Sequence, residues 1–402
     1  MTPRPKQIQR NIEASVGGQL LKMVNTIGMK KSKMIGPKKV FLPKVGIHMH
    51  YYEREAVPTM AKTDKDDSAF VGTGSTIATD SKSGQDQPTI IFCHGISETA
   101  KSSNFLISAL DIPPHVRILC PDQIGHGEDL KRAISDPQSF KQPTHESMLE
   151  STSEFLDVVK AGNNCNAFGI SMGGGLVYYL RFKRPDVIQR TVLVSPAIQY
   201  CLDDAFVDGL LKGKNNFIDF QSREDVKLLF RNALTIGPYD EEENNNKDKY
   251  NNNSNSDSNQ PRRKKDPVPK FLLESIYRAQ NANAPEGHHR KMMRSLLKSA
   301  GITPTDDDTN DDNDDDDKSI FTTEIDIDQD SPRLVIWPEQ DQICNYEKAK
   351  RFFKNSTETN YKGKRRTEFE SIPHCGHVFH ADGRSILDLI VPKTKQFLLD
   401  FS

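Results

Sequence analysis

The chain has 402 residues, room for one large α/β domain or two smaller ones. Its 54 lysines and arginines nearly balance 56 aspartates and glutamates, which removes any global case for a nucleic-acid binder. Six scattered cysteines with no Cys-x-x-Cys pair argue against a zinc site and a secreted disulfide scaffold, and favour a reducing compartment.

Residues 1–45 hold ten basic side chains against one acid, Glu13, with Ile8, Ile12, Val16, Leu20, Met23, Val24 and Ile27 at near-helical spacing. A basic amphipathic helix would lie on an anionic membrane surface, so peripheral contact through residues 1–35 is one expectation. An acid-poor mitochondrial presequence and a frayed basic tail are the alternatives. No run reaches the ~20 apolar residues that span a bilayer, and no uninterrupted signal-peptide core is present. The expected location is cytoplasmic or peripheral on a membrane, with mitochondrial targeting as the other option.

Residues 39–43 and 46–54 read as an antiparallel hairpin around a proline-containing turn. The polar stretch 56–87 has no apolar period and reads as a disordered loop. Apolar strands then alternate with helices: strand 89–93, helix 102–110, strand 116–120, helix 145–160, a strand ending at Phe168, helix 176–183 and strand 191–196. Uniformly apolar strands separated by helices predict a mostly parallel, doubly wound α/β sheet. From 198 to 331 only amphipathic helical pieces are evident, at 204–211, 224–234, 269–280 and 289–300, with low-complexity inserts over 240–265 and 305–318. The aspartate-rich insert lacks the spaced glycine and terminal glutamate of an EF-hand loop, and the basic run 262–265 reads as solvated charge. The sheet resumes with strand 333–338, helix 346–353, strand 368–372 and a closing helix 385–397.

Gly169-Ile170-Ser171-Met172-Gly173 suits a strand turning sharply into a helix with the serine at the apex. A serine hydroxyl is a weak nucleophile and needs an imidazole to take its proton. The imidazole in turn needs a carboxylate to fix its tautomer. Ser171, Asp341 and His377 each follow an apolar strand, in the chain order such a sheet uses. Asp203 and Asp204 are rival acids, and Asp122 reads as a turn-stabilising residue. The N–H of Met172 is one expected oxyanion donor; the second is the N–H of Ile96, after His94-Gly95.

The motifs His94-Gly95-Ile96-Ser97, Asp122-x-x-Gly125-His126-Gly127, Gly169-Ile170-Ser171-Met172-Gly173-Gly174, Leu334-Val335-Ile336-Trp337-x-x-x-Asp341 and Cys375-Gly376-His377 resemble those of the α/β-hydrolase family. Within it the chain looks most like the monoacylglycerol-lipase-like branch, on residues 222–226 and 266–272 and the Ile-Trp-x-x-x-Asp strand end. The resemblance implies a core over 39–198 and 332–402 behind a basic extension (1–38), and a helical cap over 199–331. Phe206, Leu210 and Phe271 would then help to line an acyl-chain tunnel, or simply pack the cap onto the core. Pro338 departs from the family's usual glycine. The spacing His377-x-x-x-x-Asp382 matches a related branch that acylates lysophospholipids.

The expectation is a serine hydrolase of carboxylic esters, with a lipid ester such as a monoacylglycerol as substrate and no metal or organic cofactor. An acyltransferase, thioesterase or carbon–carbon bond hydrolase on the same scaffold is the first alternative. A non-enzymatic binding protein is the second. Ser171 argues against family members that use an aspartate nucleophile.

Overall fold

Eight strands form one sheet in the order β1-β2-β4-β3-β5-β6-β7-β8. In a computed structural model, residues 29–57, 87–130, 135–136, 140–212, 220, 222–232, 273–274, 276–278, 287–302, 331–354, 367–377 and 384–401 are described. The strands are β1 (Ile35–Leu42), β2 (Ile47–Arg54), β3 (Thr89–Cys93), β4 (Arg117–Pro121), β5 (Cys165–Ile170), β6 (Ile188–Val194), β7 (Arg333–Pro338) and β8 (Thr367–Ile372). β1 and β2 form the expected antiparallel hairpin, β2 pairs antiparallel with β4, and every other neighbour is parallel. β1 begins earlier than the expected 39. A register shift between Ile35 and Lys38 accommodates Gly36-Pro37 on this edge strand, where a missing N–H is tolerated.

The central strands are apolar at nearly every position because both faces are covered. Ile91, Leu119, Ala167, Leu193, Val335 and Trp337 point to one face. There they meet α2 (His145–Val158) and α3 (Met172–Lys183). Their neighbours Ile90, Phe92, Ile118, Phe168, Val192, Leu334 and Ile336 point to the other. Those pack on α1 (Ser103–Leu110) and α8 (Arg384–Leu398). Strand periodicity of two makes this division automatic. Each fully buried aliphatic or phenyl side chain contributes roughly 1.5–3 kcal/mol, so the sheet is the stiff part of the molecule.

Between β6 and β7 the chain leaves the sheet and forms α4 (Asp204–Leu211), α5 (Arg223–Asn232) and α6 (His288–Ser299). This is the inserted helical cap. α6 packs back on the core through His288, His289, Met292, Leu296 and Leu297, all buried. α7 (Tyr346–Lys354) follows β7. Among the described residues no helix is long and apolar enough to cross a membrane. The basic stretch 1–28, most of the loop 56–87, both low-complexity inserts, the basic run 262–265 and most of the expected helix 269–280 lie outside the described residues.

Candidate active site

Ser171 stands between the end of β5 and the first turn of α3, with φ 52° and ψ −120°. That left-handed φ is uncommon for a residue with a Cβ and marks stored strain at a sharp turn. Two glycines make the turn possible. A Cβ on Gly169 would lie 2.2 Å from the carbonyl oxygen of Gly173, and one on Gly173 would lie 2.3 Å from that of Cys93. The start of α3 therefore rests directly on the end of β3. The Ser171 carbonyl accepts from the N–H groups of Gly175 and Ala197 while its own N–H donates to Val194, so the apex is held from three sides.

His377 follows β8 and Asp341 follows β7, both at the carboxyl edge of the sheet that also carries Ser171. His377 Nδ1 lies 2.7 Å from Asp341 Oδ2, and His377 Nε2 lies 2.8 Å from Ser171 Oγ. A carboxylate only accepts, so Nδ1 carries the proton and Nε2 is left to accept from the serine hydroxyl. All three residues are buried, at 9 %, 7 % and 5 % exposure for Ser171, Asp341 and His377, so both bonds, the charge-assisted one to Asp341 included, work in a low dielectric. The second oxygen of Asp341 accepts from the N–H groups of Ile343 and Cys344, both at 2.8 Å. Trp337 Nε1 donates to the Cys344 carbonyl at 2.9 Å and clamps the far side of the same turn. Pro338 sits at the head of that turn, its carbonyl accepting from Asp341 N–H.

The rival acids are occupied elsewhere. Asp203 caps α4 through the N–H groups of Ala205 and Phe206 and accepts from Asn345, while Asp204 pairs with Lys348. Asp122 accepts from Ala100 N–H at 2.7 Å and ties the loop after β4 to the loop after β3. The N–H groups of Ile96 and Met172 make no hydrogen bond within the described residues. The loop carrying Ile96 is fixed on both sides. His94 Nδ1–H donates to the Gly95 carbonyl at 2.8 Å, and its Nε2 accepts from Gln123 N–H at 3.1 Å. Glu98 accepts from Gly95 N–H at 2.9 Å.

Phe206 and Leu210 are buried in the same apolar cluster as Met172 and Met292. Phe271 lies outside the described residues, as does Asp382 of the His377-x-x-x-x-Asp382 spacing. Three features escaped sequence reading. Glu98 sits four residues after His94 with nothing in its neighbourhood to mark it. Cys344 lies on the acid turn, and its thiol groups with Asp341 and His377, their ligand atoms all within 4.8 Å of one another. Burial, reinforced by the Asp341 charge, pushes that thiol well above its ordinary pKa, so it is a neutral neighbour of the acid. The third feature is a set of histidines where α6 meets the core. The rings of His94 and His126 are 5.0 Å apart and those of His288 and His289 5.4 Å, and His288 Nε2 lies 3.0 Å from the Gly125 carbonyl. Burial holds His126 well below its usual pKa and His289 at about 4. His288 and His289 are neighbours in the chain, but only the topology brings them to His94 and His126.

The sequence profile of the alpha/beta hydrolase fold matches residues 88–384. Searching curated proteins gives no match. Many solved structures are similar. A membrane phospholipase A described as a bacterial virulence factor is 14% identical, with TM-score 0.57 over 95% of this chain and 93% of that one. A meta-cleavage product hydrolase from Pseudomonas fluorescens is 14% identical, with TM-score 0.53 over 90% and 98%. A serine hydrolase from the polyaromatic-hydrocarbon-degrading bacterium Cycloclasticus zankles is 14% identical, with TM-score 0.52 over 90% and 98%. At such identities the likeness speaks for the fold alone.

Proposed function

Because this chain belongs to the alpha/beta hydrolase fold family, we propose that it is a serine hydrolase of carboxylic esters, acting on a lipid ester such as a monoacylglycerol. The observation that carries this reading is the unbroken hydrogen-bonded series from Ser171 Oγ through His377 to Asp341 Oδ2. Ser171 Oγ attacks the ester carbonyl while His377 Nε2 takes its proton. Asp341, with both oxygens engaged, holds the ring and stabilises the imidazolium that forms. The carbonyl oxygen becomes an oxyanion facing the N–H groups of Ile96 and Met172, each worth about 2.7–4 kcal/mol in the transition state. His377 then returns the proton to the leaving alkoxide. Water, activated by the same nitrogen, releases the acid from the acyl-enzyme.

The acyl chain runs along the apolar side of the cap. Support comes from Phe206 and Leu210, apolar residues that α4 of the cap buries. Residues 1–35 bring the enzyme to an anionic membrane surface, a reading supported by their basic composition. A fluorophosphonate probe tests the chemistry. The full chain is expected to be labelled and the Ser171→Ala variant not, whereas equal labelling of both moves the nucleophile elsewhere. A panel of esters of rising acyl length tests the substrate class, and a flat profile removes the acyl tunnel.

A further inference from the structure

We infer that Asp341, Cys344 and His377 form an inhibitory site for a thiophilic divalent cation, with Zn2+ the fitting ion, immediately behind the nucleophile. The inference rests on the proposed roles of Ser171 and His377 and adds a means of switching them off. One carboxylate oxygen, one sulfur and one ring nitrogen lie within 4.8 Å of one another, and all three residues are buried. Two come from the turn after β7, as Asp341-x-x-Cys344, and the third from the loop after β8. The Cys344 thiol makes no hydrogen bond within the described residues, so it is not committed elsewhere. The other five cysteines are buried too, yet among the described residues none belongs to such a group.

Thiolate, imidazole and carboxylate together select Zn2+ or Co2+ over Mg2+ or Ca2+, which prefer all-oxygen shells. Tetrahedral zinc with bonds of about 2.0–2.3 Å holds its ligand atoms about 3.5 Å apart. Closing the observed set around an ion therefore takes roughly an ångström of side-chain movement, with water in the fourth position. The balance of protons explains why binding inhibits. The ion takes the Nδ1 lone pair of His377 and the Cys344 sulfur. The thiol proton leaves to solvent, and the Nδ1 proton is replaced by one on Nε2, so one proton is released overall. Nε2 is then an N–H donor facing Ser171 Oγ and can no longer accept the hydroxyl proton. Substrate binding is untouched, so kcat falls while KM holds.

The test uses the full chain with zinc chloride and cobalt chloride as probes. Cobalt is expected to produce the near-ultraviolet thiolate-to-cobalt charge-transfer band, and zinc to suppress turnover reversibly, with a chelator restoring it and Mg2+ inert. Cys344→Ala and the conservative Cys344→Ser should lose the band and need roughly tenfold more zinc or beyond for half-inhibition, each measured against its own metal-free rate. His289→Ala should keep both effects. Loss of both in His289→Ala would put the ion in the histidine cluster and overturn the proposal, as would zinc sensitivity in both Cys344 variants equal to that of the unaltered chain. The cobalt band is read without turnover. A band with no hydrolase activity therefore retires the hydrolase reading alone, and full activity with no band retires the metal site alone.

Discussion

Mild acid should loosen the seat of the cap, and the size of the effect follows from buried histidines. His289 on α6 and His145 at the head of α2 are both held at about 4 by burial, against an ordinary 6.5. Both belong to the contact between α6 and the core, since His145 Nδ1 lies 3.1 Å from Ser299 Oγ at the end of α6. Above pH 6.5 these rings are neutral folded or unfolded, and their burial carries no pH-dependent penalty. As pH falls below 6.5 the unfolded chain gains protons that the folded chain refuses, so stability declines until pH reaches about 4. At about pH 5 each ring costs about 2 kcal/mol, at 1.36 kcal/mol per pH unit. Together these two remove about 4 kcal/mol from a total of roughly 5–15 kcal/mol, and His126, which burial holds well below its usual value in the same contact, adds to the loss. Asp186, whose carboxyl Arg184 holds below its usual range, titrates below this window. Urea unfolding followed by the fluorescence of Trp337, the single tryptophan, at about pH 7 and about pH 5 measures the loss. His289→Gln, which cannot titrate, should recover about 2 kcal/mol of it. Equal stability at the two pH values, or an undiminished loss in His289→Gln, refutes the reasoning.

Other expectations can be checked alongside. Asp341→Asn should lower kcat/KM about ten-thousand-fold with little change in melting, because an amide facing Nδ1 forces the wrong tautomer. Trp337→Phe removes the indole donor to the Cys344 carbonyl and should cost about 1–3 kcal/mol in denaturant unfolding. Gly173→Ala drives a Cβ to 2.3 Å from the Cys93 carbonyl oxygen, so fluorophosphonate labelling should collapse even in protein that remains folded. Deleting residues 1–28 should weaken sedimentation with anionic vesicles while leaving turnover of a soluble short-chain ester unchanged; unaltered sedimentation removes the membrane reading for residues 1–28.

The parallel strands were legible because burial on both faces leaves a uniform apolar signature, and β7 was located to the residue, Arg333–Pro338. The elbow was legible because glycine is demanded at both Gly169 and Gly173 by carbonyls little more than 2 Å from a would-be Cβ. Asp341 was preferred to Asp203 for a strand end followed directly by an acid, and the structure places its Oδ2 2.7 Å from His377 Nδ1 while Asp203 caps α4. The edge strand was harder. Its start at Ile35 is hidden by Gly36-Pro37, which a local pattern reads as a turn. Least legible were the groupings that only topology creates. Cys344 stands beside His377 across two strands, and His126 meets His289 across the cap contact, so neither pairing leaves a trace in local spacing.

Trapping the acyl-enzyme tests the central claim most directly. Brief mixing with an activated acyl ester, acid quenching and peptide mass analysis should find one acyl group, on the peptide that contains Ser171, and none on the Ser171→Ala chain. His377→Ala should slow its formation by orders of magnitude. An acyl group on any other residue, or formation at an unchanged rate without His377, contradicts the account.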